Sequence, residues 1–386
     1  MSHILLIVEP GMDGVFRHTE GLADYLLSKQ EVAVGLAYSS VRSSDALWAL
    51  VERIGVAGGP VLDMQIGNAP AGRDFSAVGR LAALIVRFKP DVIHAHSSKG
   101  GALARLLWYA GLSAPLFYTP NAYFGLNRVD SAKTKVFNAI ETVLGRIGRT
   151  INVSASERRF ARGRLGLPAS SLLAVPNAVD CERFRPASSA DRAMHRRVWG
   201  IPQDAWVLGT VGRYSEQKDP ETLYRAVERV LAVEPDAWFA HLGQGEQYDA
   251  ITGMVAGKPW ANRVVRVRYS ATPAEFYRAL DVFVLSSRYE GLPISGLEAL
   301  AAGLPLVFTR CPGCEDFEAL GLNAVRWAPV SDFQALSAAI LSMKREARGG
   351  NNHREIALRK LTPKVVYGDI LAAYRAALHE RLGVVI

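Results

Sequence analysis

The chain has 386 residues, 49% of them hydrophobic and 21% charged, with a formal net charge of +8. That length suits two domains of about 150–200 residues rather than one, and the composition is that of a soluble globular protein with material for two cores. The longest apolar runs, such as 4–8 and 282–285, are far short of the roughly 20 residues a membrane span needs, and no signal-peptide pattern is legible, so the chain reads as cytosolic.

In chain order, an apolar strand over 3–8 leads into a loop, 10–14, carrying Gly11 and Gly14. Leu22, Tyr25 and Leu26 predict a helix over 17–27, followed by a strand over 31–38. Residues 75–88 carry the helical stripe Leu81, Leu84, Ile85 and Phe88, which Pro90 stops. A strand over 91–94, a helix over 101–110, a strand over 116–118, a helix over 131–145 and a strand over 150–154 complete the first half.

After a polar stretch at 186–197 the pattern restarts with strand 206–210, helix 220–233 and strand 237–242. Strand 264–267, helix 273–280, strand 282–285, helix 294–302 and strand 305–309 follow. A last helix over 363–382 is spaced by Val366, Ile370, Leu371, Tyr374 and Leu378. Strands alternating with helices imply parallel sheets with right-handed crossovers. The expected fold class is therefore α/β: two Rossmann-like, doubly wound parallel-sheet domains, 1–187 and 188–362, and a C-terminal helix, 363–386, returning to the first. They would face one another across a cleft at the carboxyl ends of the strands, where open α/β sheets bind ligands.

The positive charge is concentrated. Between Arg128 and Arg164 nine basic residues outnumber three acidic ones, leaving +6. Such a patch suits a phosphate-bearing partner, or is simply a solvated face. Within it, helix 131–145 sets Val136, Phe137, Ile140, Val143 and Leu144 beside Lys133, Lys135 and Arg146. That pattern fits a helix lying on an anionic membrane surface and equally one packed on the first sheet. No interleaved exposed aromatics or reading motif suggest nucleic acid. Cys311 and Cys314 have C-x-x-C spacing, open to a redox pair or to incidental thiols in a turn after a strand. His94 and His96 alternate onto one side of a strand without an obvious third metal ligand, so no metal is expected.

Two segments point to chemistry. Gly212, Arg213 and Lys218 directly follow the strand 206–210, with Asp219 as an N-cap and Pro220 at the first helical position. Two cations at a helix N-terminus suit a diphosphate. Glu290 then lies in the loop after strand 282–285, with Gly291 allowing close backbone approach. Glu298 is expected in the first turn of the next helix, both carboxylates being placed for sugar or ribose hydroxyls. Ser295 and Glu298 also match a capping box, an alternative role for that glutamate.

With both segments in view, the chain resembles the family-4 retaining glycosyltransferases of the GT-B fold. Gly212–Lys218 stands where that family has G-R-x-S-x-x-K, and Glu290–Glu298 where it has E-x7-E. The segments 176–180, 241–246, 279–286 and 297–305 agree as well, in order and spacing. The resemblance implies a UDP- or GDP-sugar donor, with no cofactor and no metal. Arg213 and Lys218 would hold the diphosphate, and Glu290 would face the transferred sugar; these three are the catalytic candidates. Gly212, Gly291, Leu292 and Pro293 would line the donor with Gly14, and Glu298 would bind the ribose. Arg17 and His18, at the start of the first helix, and His96, Lys99 and Asn121 would lie toward the acceptor. The family's histidine-bearing loop is replaced here by Thr119, Pro120, Asn121 and Ala122; Asn121 hydrogen-bonds but cannot act as an acid or base.

What the resemblance implies is retaining transfer to a saccharide, lipid-linked in bacterial surface-polysaccharide assembly, at the inner face of the cytoplasmic membrane. A GT-B nucleotide-sugar epimerase, or a binding-only subunit without turnover, are the competing readings.

Overall fold

Each central strand is apolar on consecutive residues because crossover helices cover both faces of its sheet. In the computed structural model, residues 2–67, 72–111, 114–127, 131–346 and 350–382 are described. The chain divides into one unit of Met1–Ala178 with Pro363–Ile386 and a second of Val179–Thr362. The division falls after Ala178, where the sequence suggested 187. Residues 179–187 are tied into the second unit: the Val179 N–H donates to the Leu361 carbonyl (2.8 Å). The Arg354 guanidinium likewise donates to the carbonyls of Cys181 and Phe184.

The first unit runs β1 (Ser2–Val8), α1 (Asp13–Leu27), β2 (Val32–Tyr38), α2 (Asp45–Val56) and β3 (Val61–Asp63). It continues with α3 (Arg73–Phe88), β4 (Val92–His96), α4 (Ser98–Tyr109), β5 (Leu116–Thr119) and α5 (Ala132–Leu144). Then follow β6 (Arg149–Asn152), α6 (Ala155–Gly163) and β7 (Leu172–Ala174). Its seven strands are all parallel, in the order β3-β2-β1-β4-β5-β6-β7. Side chains on β1 alternate: Ile4, Leu6 and Val8 join the core with Phe16, Leu22, Leu26 and Leu50. Leu5 and Ile7 face the other way, onto Leu81, Leu84, Ile85 and Leu103.

The second unit holds α7 (Ser189–Val198), β8 (Trp206–Val211), α8 (Pro220–Val233), β9 (Ala237–Leu242), α9 (Tyr248–Val255) and β10 (Val264–Val267). After them come α10 (Pro273–Arg278), β11 (Val282–Leu285), α11 (Ile294–Ala301), β12 (Leu306–Thr309), β13 (Val325–Ala328), α12 (Phe333–Glu346) and α13 (His353–Lys360). The parallel order β10-β9-β8-β11-β12-β13 reverses direction between β8 and β11, which makes that gap the switch point of the sheet. The last helix, α14 (Pro363–Leu382), packs on α1 of the first unit.

The polar stretch at 186–197 belongs to the second unit. It forms α7, started by a capping box between Ser188 and Asp191. Arg192 and Arg196 both pair with Asp281. The helix is fastened by charge, and Met194 and Val198 point outward, so it offers no apolar period to read.

Candidate functional site

Switch-point geometry concentrates the second unit's chemistry in one place. A pocket at the carboxyl ends of β8 and β11 is lined by Thr210, Gly212, Arg213, Lys218, Pro220, Leu223, His241, Leu285 and Ser286. Asp219 caps α8 from a left-handed conformation (φ 49°), its carboxylate accepting from the Thr222 N–H (3.3 Å) and hydroxyl (2.9 Å). Ser331 and Arg288 hold the same carboxylate. Ser286, just past β11, donates to the carbonyls of Lys218 (2.7 Å) and Asp219 (3.0 Å). The turn that presents Lys218 is therefore fixed from both strands, at the N-terminus of a 14-residue helix whose dipole favours an anion.

Glu290 meets Lys218 directly. Its carboxylate accepts from the Lys218 ammonium (2.5 Å), from the Ser287 hydroxyl (2.6 Å) and from the Gln217 amide (3.4 Å), and the residue is buried. The structure thus joins the two sequence segments into one ion pair, while Arg213 is exposed at the rim. Gly291, Leu292 and Pro293 are buried behind Glu290.

The turn at 311–314 underlies this loop. The Glu290 N–H donates to the Pro312 carbonyl (2.9 Å). Gly313 (φ 83°) sits so close that a Cβ there would fall 2.5 Å from the Glu290 carbonyl oxygen and 2.6 Å from that of Gly291. Cys311 and Cys314 are free and buried. The hydrogen bond with Cys311, then burial, pushes the Cys314 thiol well up. These are packing thiols under the glutamate loop.

Glu298 departs from both details of its sequence reading. The N-cap of α11 is Pro293, without a side-chain cap bond, so the capping box does not form. Glu298 is the fifth helical residue, in the second turn rather than the first, and it accepts from the Tyr277 hydroxyl (2.6 Å). Tyr277 carried no signal in the sequence.

In the first unit, α1 begins at Asp13, so Gly14 is already in its first turn and Arg17 and His18 lie one turn further in, not at the start. His18 and His96, expected toward the acceptor, are wholly buried. They form a cluster with His94: ring centroids lie 4.1 Å apart for His94 and His96 and 5.4 Å for His18 and His96. Among the described residues no group of three or more His, Cys, Asp or Glu is arranged to hold a metal ion. Lys99 pairs with Asp74 (2.9 Å) and donates to the Gly67 carbonyl (2.6 Å).

Asn121 and Ala122 both take positive φ (55° and 90°) after β5. Left-handed non-glycine residues cost about 1 kcal/mol or more each, and the Glu157 carboxylate holds the loop there by accepting from the Ala122 N–H.

Residues 12–183 match the family described as Glycosyltransferase Family 4, and residues 191–357 the one described as Glycosyl transferases group 1. The D-inositol 3-phosphate glycosyltransferase of Geodermatophilus obscurus is 30% identical over 313 residues, 75% of this chain and 67% of that protein. The UDP-Gal:alpha-D-GlcNAc-diphosphoundecaprenol alpha-1,3-galactosyltransferase of Escherichia coli is 27% identical over 250 residues. That match covers 62% of this chain and 63% of the relative, less than two thirds of its length. Among solved structures, HepE of Anabaena in complex with UDP-glucose superposes with a TM-score of 0.78 at 18% identity, covering 97% of this chain and all of that one. Sucrose-phosphate synthase of Thermosynechococcus elongatus gives 0.80 at 18% identity, covering 98% of this chain and 100% of that one.

Proposed function

This chain belongs to the group 1 and family 4 glycosyltransferases, and from that premise we propose that it transfers a sugar from a nucleotide-sugar, UDP-linked rather than GDP-linked, to a lipid-linked saccharide with retention at the anomeric carbon. The single observation that carries the reading is the pairing of Lys218 with Glu290 at the switch-point pocket, with Arg213 on its rim. The UDP preference is supported by the printed donor of the Escherichia coli relative and by the ligand of the Anabaena structure, whose fold the chain shares.

In the proposed reaction the donor diphosphate displaces Lys218 from Glu290 or is bridged by it. Glu290 then accepts from hydroxyls of the transferred sugar and Glu298 from those of the ribose. The bond from the anomeric carbon to the phosphate oxygen breaks, and its electron pair goes to that oxygen. The acceptor hydroxyl attacks from the same face, and its proton passes to the leaving phosphate. Arg213, Lys218 and the α8 N-terminus stabilise the charge that develops there. The Asn121 loop takes no proton in this scheme.

A donor screen by thermal shift tests the site. UDP, GDP, ADP and their sugars are added at about 100 times Kd, where a ligand specific for the native state adds about 2.7 kcal/mol. One nucleotide is expected to stabilise the protein selectively, and Glu298→Ala to weaken that shift. No shift with any nucleotide in folded protein removes the donor site and favours neither transfer nor epimerisation. A shift without turnover on any acceptor supports the binding-only reading, and acceptor-independent donor consumption supports the epimerase.

The lipid-linked acceptor is supported by α5. Its only buried residues are Thr134 and Glu141. Val136, Ile140 and Val143 are 57%, 45% and 68% exposed, beside Lys133 and Lys135. These three face solvent while Phe137 and Leu144 of the same stripe are half-buried, and a basic helix with an outward apolar edge suits an anionic bilayer. Arg128, part of the same charge run, lies outside the described residues. Among the described residues no helix is long and apolar enough to cross a membrane. The chain is expected to float with phosphatidylglycerol liposomes at low salt, and Lys133→Glu with Lys135→Glu to abolish it. The Geodermatophilus relative favours a second reading, a soluble phosphorylated cyclitol acceptor. No liposome binding at low salt, together with turnover on such a soluble acceptor, would decide for it.

A further inference from the structure

Beneath the diphosphate loop lies a buried polar chain that the proposed reaction does not use. We propose that His241, with Tyr224 and Tyr214, is a positioning residue: the chain locks the Gly212–Arg213 peptide and so aims Arg213 at the donor diphosphate. This rests on the donor-site reading above and adds to it the device that sets the loop.

The hydrogen-bond directions are forced. His241 Nε2 lies 3.0 Å from the Gly212 carbonyl oxygen, which can only accept, so Nε2 carries the proton. Burial holds the ring down to about 3, so it is neutral in working conditions and Nδ1 is an acceptor. Nδ1 lies 3.3 Å from the Tyr224 hydroxyl, which must then donate to it. The Tyr214 hydroxyl, 2.9 Å from that of Tyr224, is left to donate there. One proton order satisfies every member, from Tyr214 through Tyr224 and His241 to Gly212.

The chain closes on the loop it starts from, because Tyr214 lies two residues after Gly212. Its ring also stacks on His241, with centroids 3.9 Å apart and planes at 14°. The Tyr214 N–H donates to the Gln244 carbonyl (3.0 Å). Gly243 abuts the same peptide: a Cβ there would fall 2.0 Å from the Gly212 oxygen. In a planar trans peptide the N–H points opposite to the carbonyl. Holding the Gly212 carbonyl on His241 therefore fixes the Arg213 N–H on the opposite side of that peptide, and with it the point from which the Arg213 side chain leaves, at the pocket both residues line. Only an N–H donor at position 241 with a fixed tautomer does this; an aliphatic side chain fills the space and leaves the carbonyl unheld.

The test compares His241→Leu, His241→Gln and Tyr224→Phe with wild type, by calorimetric Kd for UDP and UMP (GDP and GMP if wild type prefers guanosine) and by kcat. His241→Leu is expected to lose about tenfold in diphosphate affinity while keeping monophosphate affinity within about twofold, the scale of one charge-assisted contact. His241→Gln, which keeps an N–H donor, should recover most of the loss, and Tyr224→Phe should fall between. If His241→Leu fails to fold, Tyr224→Phe carries the comparison, since it removes only the hydroxyl that donates to Nδ1 and holds the ring in place. Unchanged diphosphate affinity, or equal losses for diphosphate and monophosphate without rescue by glutamine, overturns the positioning role while wild-type binding stands. Failure of wild type itself to bind any nucleoside diphosphate overturns the donor site and this inference with it.

Discussion

Lys218→Ala is expected to lower kcat by about 10²–10³-fold while raising the Kd for the nucleoside diphosphate by less than about tenfold. The asymmetry follows from what the lysine faces. In the ground state the diphosphate carries its charge already and other groups share it: Arg213, the α8 N-terminus and solvent. As the anomeric bond breaks, new charge appears on one oxygen, and a cation held within a few ångströms in a half-enclosed pocket acts most strongly on that increment. The turn that carries Lys218 is anchored by the Ser286 hydroxyl on the carbonyls of Lys218 and Asp219, so little reorganisation is needed. A cycle with Glu290→Gln apportions the effect: if the double variant loses no more than the worse single one, the pair acts as a unit. Equal losses in kcat and in donor affinity would instead assign the lysine to uniform binding and sink the electrostatic account.

That pair also marks what the sequence could convey. Lys218 and Glu290 were legible separately, each from its place after a strand, because strand ends and helix caps are local features. Their contact spans 72 residues and needs the β8–β11 pairing, which no local feature of the sequence conveys. The sheet order was foreseen in kind, since alternating strands and helices leave few topologies. What escaped was fastened by other means. Helix α7 is pinned by Arg192 and Arg196 on Asp281, so it has no apolar stripe. The short strands β3, β7 and β13 have only three or four residues each. Tyr277 reaches Glu298 across 21 residues, and His241 was legible only as a residue of the strand 237–242 and of a segment like the family's. His96 ran the other way: on a strand end it looked like an acceptor contact, and the structure buries its ring beside that of His18 on α1.

Those rings should make the protein acid-sensitive well above the range where ordinary carboxylates titrate. Burial lowers His18 to about 4, and burial with the neighbouring imidazoles lowers His94 and His96 well below their ordinary value. Above pH 6.5 neither folded nor unfolded chain protonates these rings, and their contribution is fully present. Below it the unfolded chain binds protons that the native cluster refuses, so stability falls by about 1.4 kcal/mol per pH unit per ring. For His18 the loss runs from pH 6.5 to about 4 and totals about 3 kcal/mol. His94 and His96 act in the same direction, as does His241 in the second unit. Glu9, Glu20 and Asp24 oppose it, because burial raises them. Facing the cluster from α14, Tyr374 meets His94 Nδ1 (2.5 Å), and from β5 the Thr119 hydroxyl meets Nε2 (2.8 Å). Among the described residues neither nitrogen of His96 has a hydrogen-bond partner, so His96→Phe removes a titrating ring without orphaning a described neighbour. Urea denaturation at pH 7.5, 6 and 5 should show wild type losing stability steadily, and His96→Phe losing about 1.4 kcal/mol less per pH unit. Parallel pH dependences for the two proteins would mean that the cluster admits protons when folded, and that its burial is not what sets the acid limit.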